Sequence, residues 1–341
     1  MRSMATRCAR SPPFNSSGWM RSSSPRQRRA GQMAKPGPIL KLIGLFLGLG
    51  LFGWIVADAF AKTQSVDWPP LPLAELAVAS VLVLLAHGLH GVAWALGARK
   101  IAPQLGWTEG VAAYSVSFLG RYLPGKIWQV GGLSYLARGR GADPMQIAGY
   151  SLAFLIAFQV VGALLLLLSY LLQDYRWGWI PCVASAPVIG IALAAFYHVF
   201  SDQIFKRLPA ALRARLRGAL HQPFDALAMN LTLLAVVWLL LSSCGHLIVT
   251  GFAPDWNGTW GQSAAATLGG LIAGFLVLIA PSGAGVREST IAIWLTAVGV
   301  DPVVAIAIVI ALRVTMTLGE LLWAAAGLLL FARTSPKPTE N

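Results

Sequence analysis

Three arginines sit in or beside stretches apolar enough to enter a lipid bilayer. They are Arg121 in FLGRYLPGKIW, Arg287 in APSGAGVREST and Arg313 in VVAIAIVIALRVTMTLGELLW. A guanidinium at mid-membrane is costly, so it faces a cavity, a counter-ion or a ligand rather than lipid. Two of the three adjoin helix breakers, Pro124-Gly125 and Pro281-Ser282-Gly283. Interrupted helices with charge at membrane depth build polar sites, because backbone groups freed at the break line a cavity together with the side chains.

The chemistry on offer is anion binding. In Arg121-Tyr122-Leu123-Pro124-Gly125-Lys126, the proline removes a backbone donor and biases the preceding residue away from helix. Gly125 permits a tight reversal. The half-helix that follows would present free N–H groups to an anion, with Arg121 and Lys126 on either side. A phosphate is the natural ligand, and arginine can grip it with two parallel bonds. An interfacial turn with snorkelling cations would use the same residues.

The second constellation is Pro281, Gly283, Gly285, Arg287 and Glu288. The proline and two glycines interrupt the helix. Arg287 and Glu288 are adjacent, so on a helix they diverge by about 100°. Each is therefore expected to pair elsewhere: Arg287 with a headgroup or an acid, Glu288 with Arg313 or Arg121. A cytoplasmic loop of solvated charges is the plainer alternative. Arg313 lies about 11 residues into the apolar stretch 302–331, roughly 17 Å along a helix and so near the bilayer centre. Glu320 follows two turns later on the same face, which also carries Met316 and Thr317. A purely structural buried ion pair competes with a binding role here. The expected substrate-binding residues are thus Arg121, Lys126, Arg287 and Arg313, with Glu288 and Glu320 as supporting acids.

Other reactive residues form no catalytic pattern. His87 and His90 stand one turn apart in LAHGLHG, and His246 lies in SSCGHLIV. Metal or haem binding would need further ligands, and no HExxH is present, so buried polar contacts between helices are expected. Ser282 has no partner motif for nucleophilic catalysis. Cys8, Cys182 and Cys244 make no CxxC pair. No catalytic residue, metal or cofactor is assigned.

The elements that must hold these residues are membrane helices. Of 341 residues 56% are hydrophobic and 11% charged, and the mean hydropathy is +0.66, which leaves no room for a soluble domain of ordinary size. The formal charge of +13 could suggest nucleic acid. It is concentrated instead between Arg2 and Lys41 and in KRLPAALRARLR, as expected of loops that stay on the cytoplasmic side and meet anionic headgroups. Nucleic acid is therefore not an expected partner. The segment 202–221 could form a basic amphipathic helix on that leaflet or a solvated loop.

A bilayer-crossing helix needs about 20 apolar residues. Full spans are expected at 39–61, 73–97, 145–172, 179–200, 226–252 and 302–331. The stretches 108–142 and 262–299 are interrupted and read as re-entrant hairpins. With both termini in the cytoplasm and the hairpins entering from opposite faces, only Lys62 and Arg176 are external. Making either hairpin a single crossing would violate the charge rule. The expected fold is an all-α polytopic membrane protein of about six full transmembrane helices plus two re-entrant broken-helix hairpins. Its topology suggests an inverted pseudo-repeat. Residues 1–37 form a basic disordered tail, 38–332 the membrane domain and 333–341 a cytoplasmic tail. The apolar h-region of a signal peptide is missing from the tail, and the natural start is expected at Met33 or Met20. Trp54, Trp68, Trp107, Tyr175, Trp177, Trp179, Trp256 and Trp260 fall where an aromatic belt is expected.

These residues resemble the lysylphosphatidylglycerol synthase transmembrane-region family, also called flippase-like membrane proteins. The resemblance rests on GRYLPGK (Gly120–Lys126), Arg138, PSGAGVRE (Pro281–Glu288) and Arg313 in the last helix, and it covers roughly 39–331. It implies a stand-alone form without the synthase domain, in the bacterial inner membrane, engaged in lipid transport for the cell envelope. The implied ligand is an anionic membrane lipid or a polyprenyl-phosphate-linked glycan. A second copy of the chain or a glycosyltransferase would be a fitting protein partner. The alternatives are a membrane-embedded transferase using a lipid-linked donor and an accessory subunit of an envelope glycolipid pathway. The external acids Asp67, Asp174, Asp255 and Asp301 stand singly, which weighs against the transferase.

Overall fold

A computed structural model of the chain describes residues 68–123, 127–175, 177–206, 223–277 and 281–334. The tail 1–37, the span expected at 39–61, the residues Pro124, Gly125 and Lys126, and most of the basic segment 202–221 lie outside the described residues. Five helices are long and apolar enough to cross a bilayer: α1 (Leu73–Ile101), α4 (Pro144–Leu171), α5 (Trp179–Lys206), α6 (Phe224–Phe252) and α9 (Pro302–Thr334). They match five of the six expected spans, and the chain is a multi-pass integral membrane protein. α5 runs on to Lys206, so the start of the basic segment is continuous with the span.

Sequence chemistry sets the helix starts. Pro144 opens α4 behind Asp143, whose carboxylate accepts from the Met145 N–H at 2.9 Å. Asp301 does the same for Val303 at 2.8 Å, ahead of Pro302. Both follow the rule that proline suits a first helical turn and aspartate a cap. α6 is the central helix, packed against α1, α5 and α7 (Trp260–Leu276). Where helices touch, small residues admit large ones: Gly162 lies against the Trp238 ring, and Gly88 against Trp323. Lipid tails are as apolar as leucine, so such close packing, and not burial from water, holds a membrane bundle together.

The two interrupted stretches fold as helical hairpins. In the first, α2 (Trp107–Ser117) runs into a 3-10 turn, Phe118–Tyr122, and the chain returns as α3 (Ile127–Arg138), packed on α2. In the second, α7 is followed by a 3-10 turn at Pro281–Gly283 and returns as α8 (Val286–Ala297). Legs of 11 and 12 residues reach only about 17–18 Å, short of a hydrocarbon core of about 30 Å.

The hairpins open at opposite ends of the bundle. Arg99, near the end of α1, stacks on Trp107 at the start of α2. Glu109 pairs with Arg140 just past α3, and Arg140 faces Phe331 near the end of α9. At the other end, Trp256 Nε1 donates to the Val298 carbonyl just past α8 at 3.0 Å. The Thr259 hydroxyl that caps α7 donates to the Gln173 carbonyl after α4. Gly251, near the end of α6, lies against Pro72 at the start of α1. The two 3-10 turns touch each other inside the bundle, so the hairpins meet tip to tip.

Candidate functional site

Backbone geometry at each tip decides where the charges go. In the second hairpin Ser282 has φ +51°, Gly283 +70° and Gly285 +86°. Gly283 fits against the Gly274 backbone so closely that a Cβ there would come within 2.5 Å of the Gly274 oxygen. Gly270 and Gly274, one turn apart on α7, likewise admit α8 side chains. In the first hairpin Gly120 packs against the backbone of Gln129, where a Cβ would meet the amide nitrogen at 2.8 Å. Each tip is therefore folded back hard on its neighbouring leg.

α9 ties the tips together. Its Glu320 accepts from Arg121 Nη1 at 3.0 Å and from the Tyr122 hydroxyl at 2.8 Å, both on the first tip. Two turns earlier, Arg313 Nη1 donates to Glu288 Oε1 at 3.1 Å and to the Ser282 carbonyl at 3.4 Å, both on the second. The expectation that Arg287 and Glu288 would not pair is corrected. Arg287 Nε donates to Glu288 Oε1 at 3.2 Å, because the long side chain curls back across the 100° that separates the two Cβ directions. Glu288 thus receives two guanidinium groups on one oxygen, while its other oxygen accepts the Gly285 N–H at 2.7 Å and caps α8. Arg313 and Glu320 share a face, yet each turns to a different hairpin and they do not pair with each other.

Arg121 is the most heavily engaged cation. Its Nε donates to Gln129 Oε1 at 3.3 Å, its Nη1 to Glu320 Oε1 at 3.0 Å, and its guanidinium lies 4.5 Å from the centre of the Phe118 ring. The Tyr114 hydroxyl meets His90 Nε2 at 3.0 Å. His87 packs against Phe118 with the rings tilted by 55° and their centroids 5.0 Å apart. His246 bonds Ser263 at 2.9 Å, away from this cluster. The histidines therefore make buried polar contacts between helices.

The two halves form one electrostatic unit, for Arg287 feels Glu320 and Tyr122 feels Arg313. Three arginines face two glutamates, which leaves one net positive charge among the described residues. Of the expected site residues, the structure brings together Arg121, Arg287, Arg313, Glu288 and Glu320, with Gly283 and Gly285 shaping the second tip beside Pro281. Pro124, Gly125 and Lys126 fall outside the described residues. Sequence reasoning missed Gln129, His87 as a neighbour of Phe118, and the left-handed Ser282. Tyr122 stood inside a motif already singled out, but Gln129 carried no signal. Cys182 and Cys244 are buried free thiols away from the cluster.

Comparison with protein-family models, curated proteins and solved structures finds no match to this chain.

Proposed function

We propose that this membrane protein binds the phosphate-bearing headgroup of an anionic lipid, or of a polyprenyl-phosphate-linked glycan, and passes it between the leaflets of a bacterial inner membrane. The observation that carries the reading is the convergence of Arg287 and Arg313 on a single carboxylate oxygen at the tip of a broken helix. Two guanidinium groups and a capped helix N-terminus form the set of donors that a phosphate accepts from. Here Glu288 stands in for that anion. An incoming phosphate would displace it and leave it the Gly285 cap. The flippase-like resemblance of GRYLPGK and PSGAGVRE points the same way. Hairpins that open at opposite ends suit an alternating route for the headgroup, with the tips parting in turn.

The test is mass spectrometry of lipids that co-purify with the wild type and with an Arg287→Gln/Arg313→Gln double variant, both checked for folding. An anionic or polyprenyl lipid retained by the wild type alone is the expected result. Identical lipid profiles would make these arginines structural and favour an accessory role in an envelope pathway.

A further inference from the structure

The acids at the two tips differ in where they are rooted. Glu320 comes from α9, and its two oxygens serve separate donors, Arg121 and Tyr122. Glu288 belongs to the second hairpin itself, one residue after Arg287 on α8. One of its oxygens takes both guanidinium groups, from Arg287 at 3.2 Å and from Arg313 at 3.1 Å. The other accepts the Gly285 N–H at 2.7 Å. The Glu288 side chain is 25% exposed, against 11% and 12% for the two arginines, so the acid is the member of the trio with room to swing aside. The Gly285 bond gives it a place to rest when it does.

This placement matters most when the site is empty. At membrane depth, two guanidinium groups without a counter-ion are costly. Among the described residues, the second tip carries one positive charge with Glu288 in place and would carry two without it. A bound phosphodiester lowers either figure by one. With Glu288→Gln, a loaded tip would therefore match the charge of the empty native tip, and only the empty tip would exceed it. The step that needs the Glu288 carboxylate is thus the return of the hairpin without lipid.

We propose that Glu288 is a tethered counter-anion. It takes the place of the headgroup phosphate when that leaves, so the hairpin resets unloaded and lipid moves one way without lipid coming back the other way. This rests on the anion-binding and transfer reading above.

The probe is phosphatidylglycerol with a nitrobenzoxadiazole group on one acyl chain. It is added to vesicles of digalactosyldiacylglycerol, a bilayer lipid without phosphate, that hold the full chain. Dithionite bleaches label left in the outer leaflet and so follows inward movement. In one set the probe is the only phospholipid. In the other, unlabelled phosphatidylglycerol in both leaflets lets the site return loaded. The wild type should move the probe at similar rates in both sets. Glu288→Gln should be slower than the wild type by about tenfold or more in the first set and recover most of that loss in the second. Glu288→Asp keeps the charge and should restore movement in the first set. In native mass spectrometry, Glu288→Gln should hold phosphatidylglycerol about tenfold more tightly, because a competing charged acceptor is gone. A folded Glu288→Gln that is slow in both sets overturns the proposal, as does one that equals the wild type in the first. A wild type that depends on unlabelled phosphatidylglycerol overturns it as well, and that arm needs no variant to fold. If the wild type moves no probe in either set, the transfer reading itself fails. If Arg287→Gln/Arg313→Gln moves it as the wild type does, the anion-binding reading fails.

Discussion

At the tip of the first hairpin one arginine meets one acid, whereas at the tip of the second two arginines share one. Arg121 is held by Gln129, Glu320 and the face of Phe118. Arg313 and Arg287 crowd a single glutamate oxygen that also lies in a capped turn. The backbones differ in the same sense. The first tip is a 3-10 continuation of α2, while the second carries three residues at positive φ. Two cations on one carboxylate repel each other and are offset only in part, so the second tip is the one poised to exchange its acid for another anion. The first tip holds its cation with more partners and is the firmer of the two. A pair of similar hairpins can thus divide anchoring from binding.

Substitutions that separate the two tips sharpen this contrast. The largest stability loss is expected for Arg121→Gln, which strands the buried Glu320 carboxylate. Breaking such a pair costs about 3–5 kcal/mol, read as an early thermal unfolding transition in detergent. Gly283→Ala should follow at about 2 kcal/mol or more, since a left-handed conformation alone costs about 1–2 kcal/mol with a Cβ and the Gly274 backbone adds a clash. Arg313→Gln should cost less stability, about 1–3 kcal/mol, because Glu288 keeps Arg287 and the Gly285 N–H. It should nevertheless lose more co-purifying lipid than Arg121→Gln. The reverse order of lipid loss would assign binding to the first tip and break the comparison. Smallest of all, Glu109→Gln at the mouth of the first hairpin should shift stability by about 1 kcal/mol, the net worth of one hydrogen bond, and leave lipid retention intact, because glutamine still offers Arg140 or the Gly106 N–H an accepting oxygen.

Much of this arrangement was legible in the chain. Apolar runs of about 20 residues located the five spans, and the proline–glycine pairs located both breaks, because those residues act through the local backbone alone. Loop charge placed the hairpin mouths on opposite sides, and the contacts of Arg140 with Glu109 and of Trp256 with Val298 set those mouths at opposite ends of the bundle. Which acid serves which arginine was not legible. Glu320 and Arg121 are 199 residues apart, and their meeting depends on how α9 leans across two hairpins. The pairing of Arg287 with Glu288 was misjudged because Cβ directions say little about where a flexible guanidinium ends. Gln129 escaped notice because an isolated glutamine in a short helix has no pattern.

The meeting of the two tips also bears on how well the protein seals. Neither hairpin runs from one end of the bundle to the other, so along that line continuous helix gives way to a junction of two 3-10 turns and the side chains that join them. Among the described residues, the side-chain contacts at that junction include Arg121 with Glu320, Tyr122 with Glu320, and Arg313 with Glu288 and the Ser282 carbonyl. Each is a polar contact that water can compete for once it loosens. A protein built this way must part those contacts to move a headgroup without parting them all at once, or it would short-circuit the ion gradients that the membrane maintains.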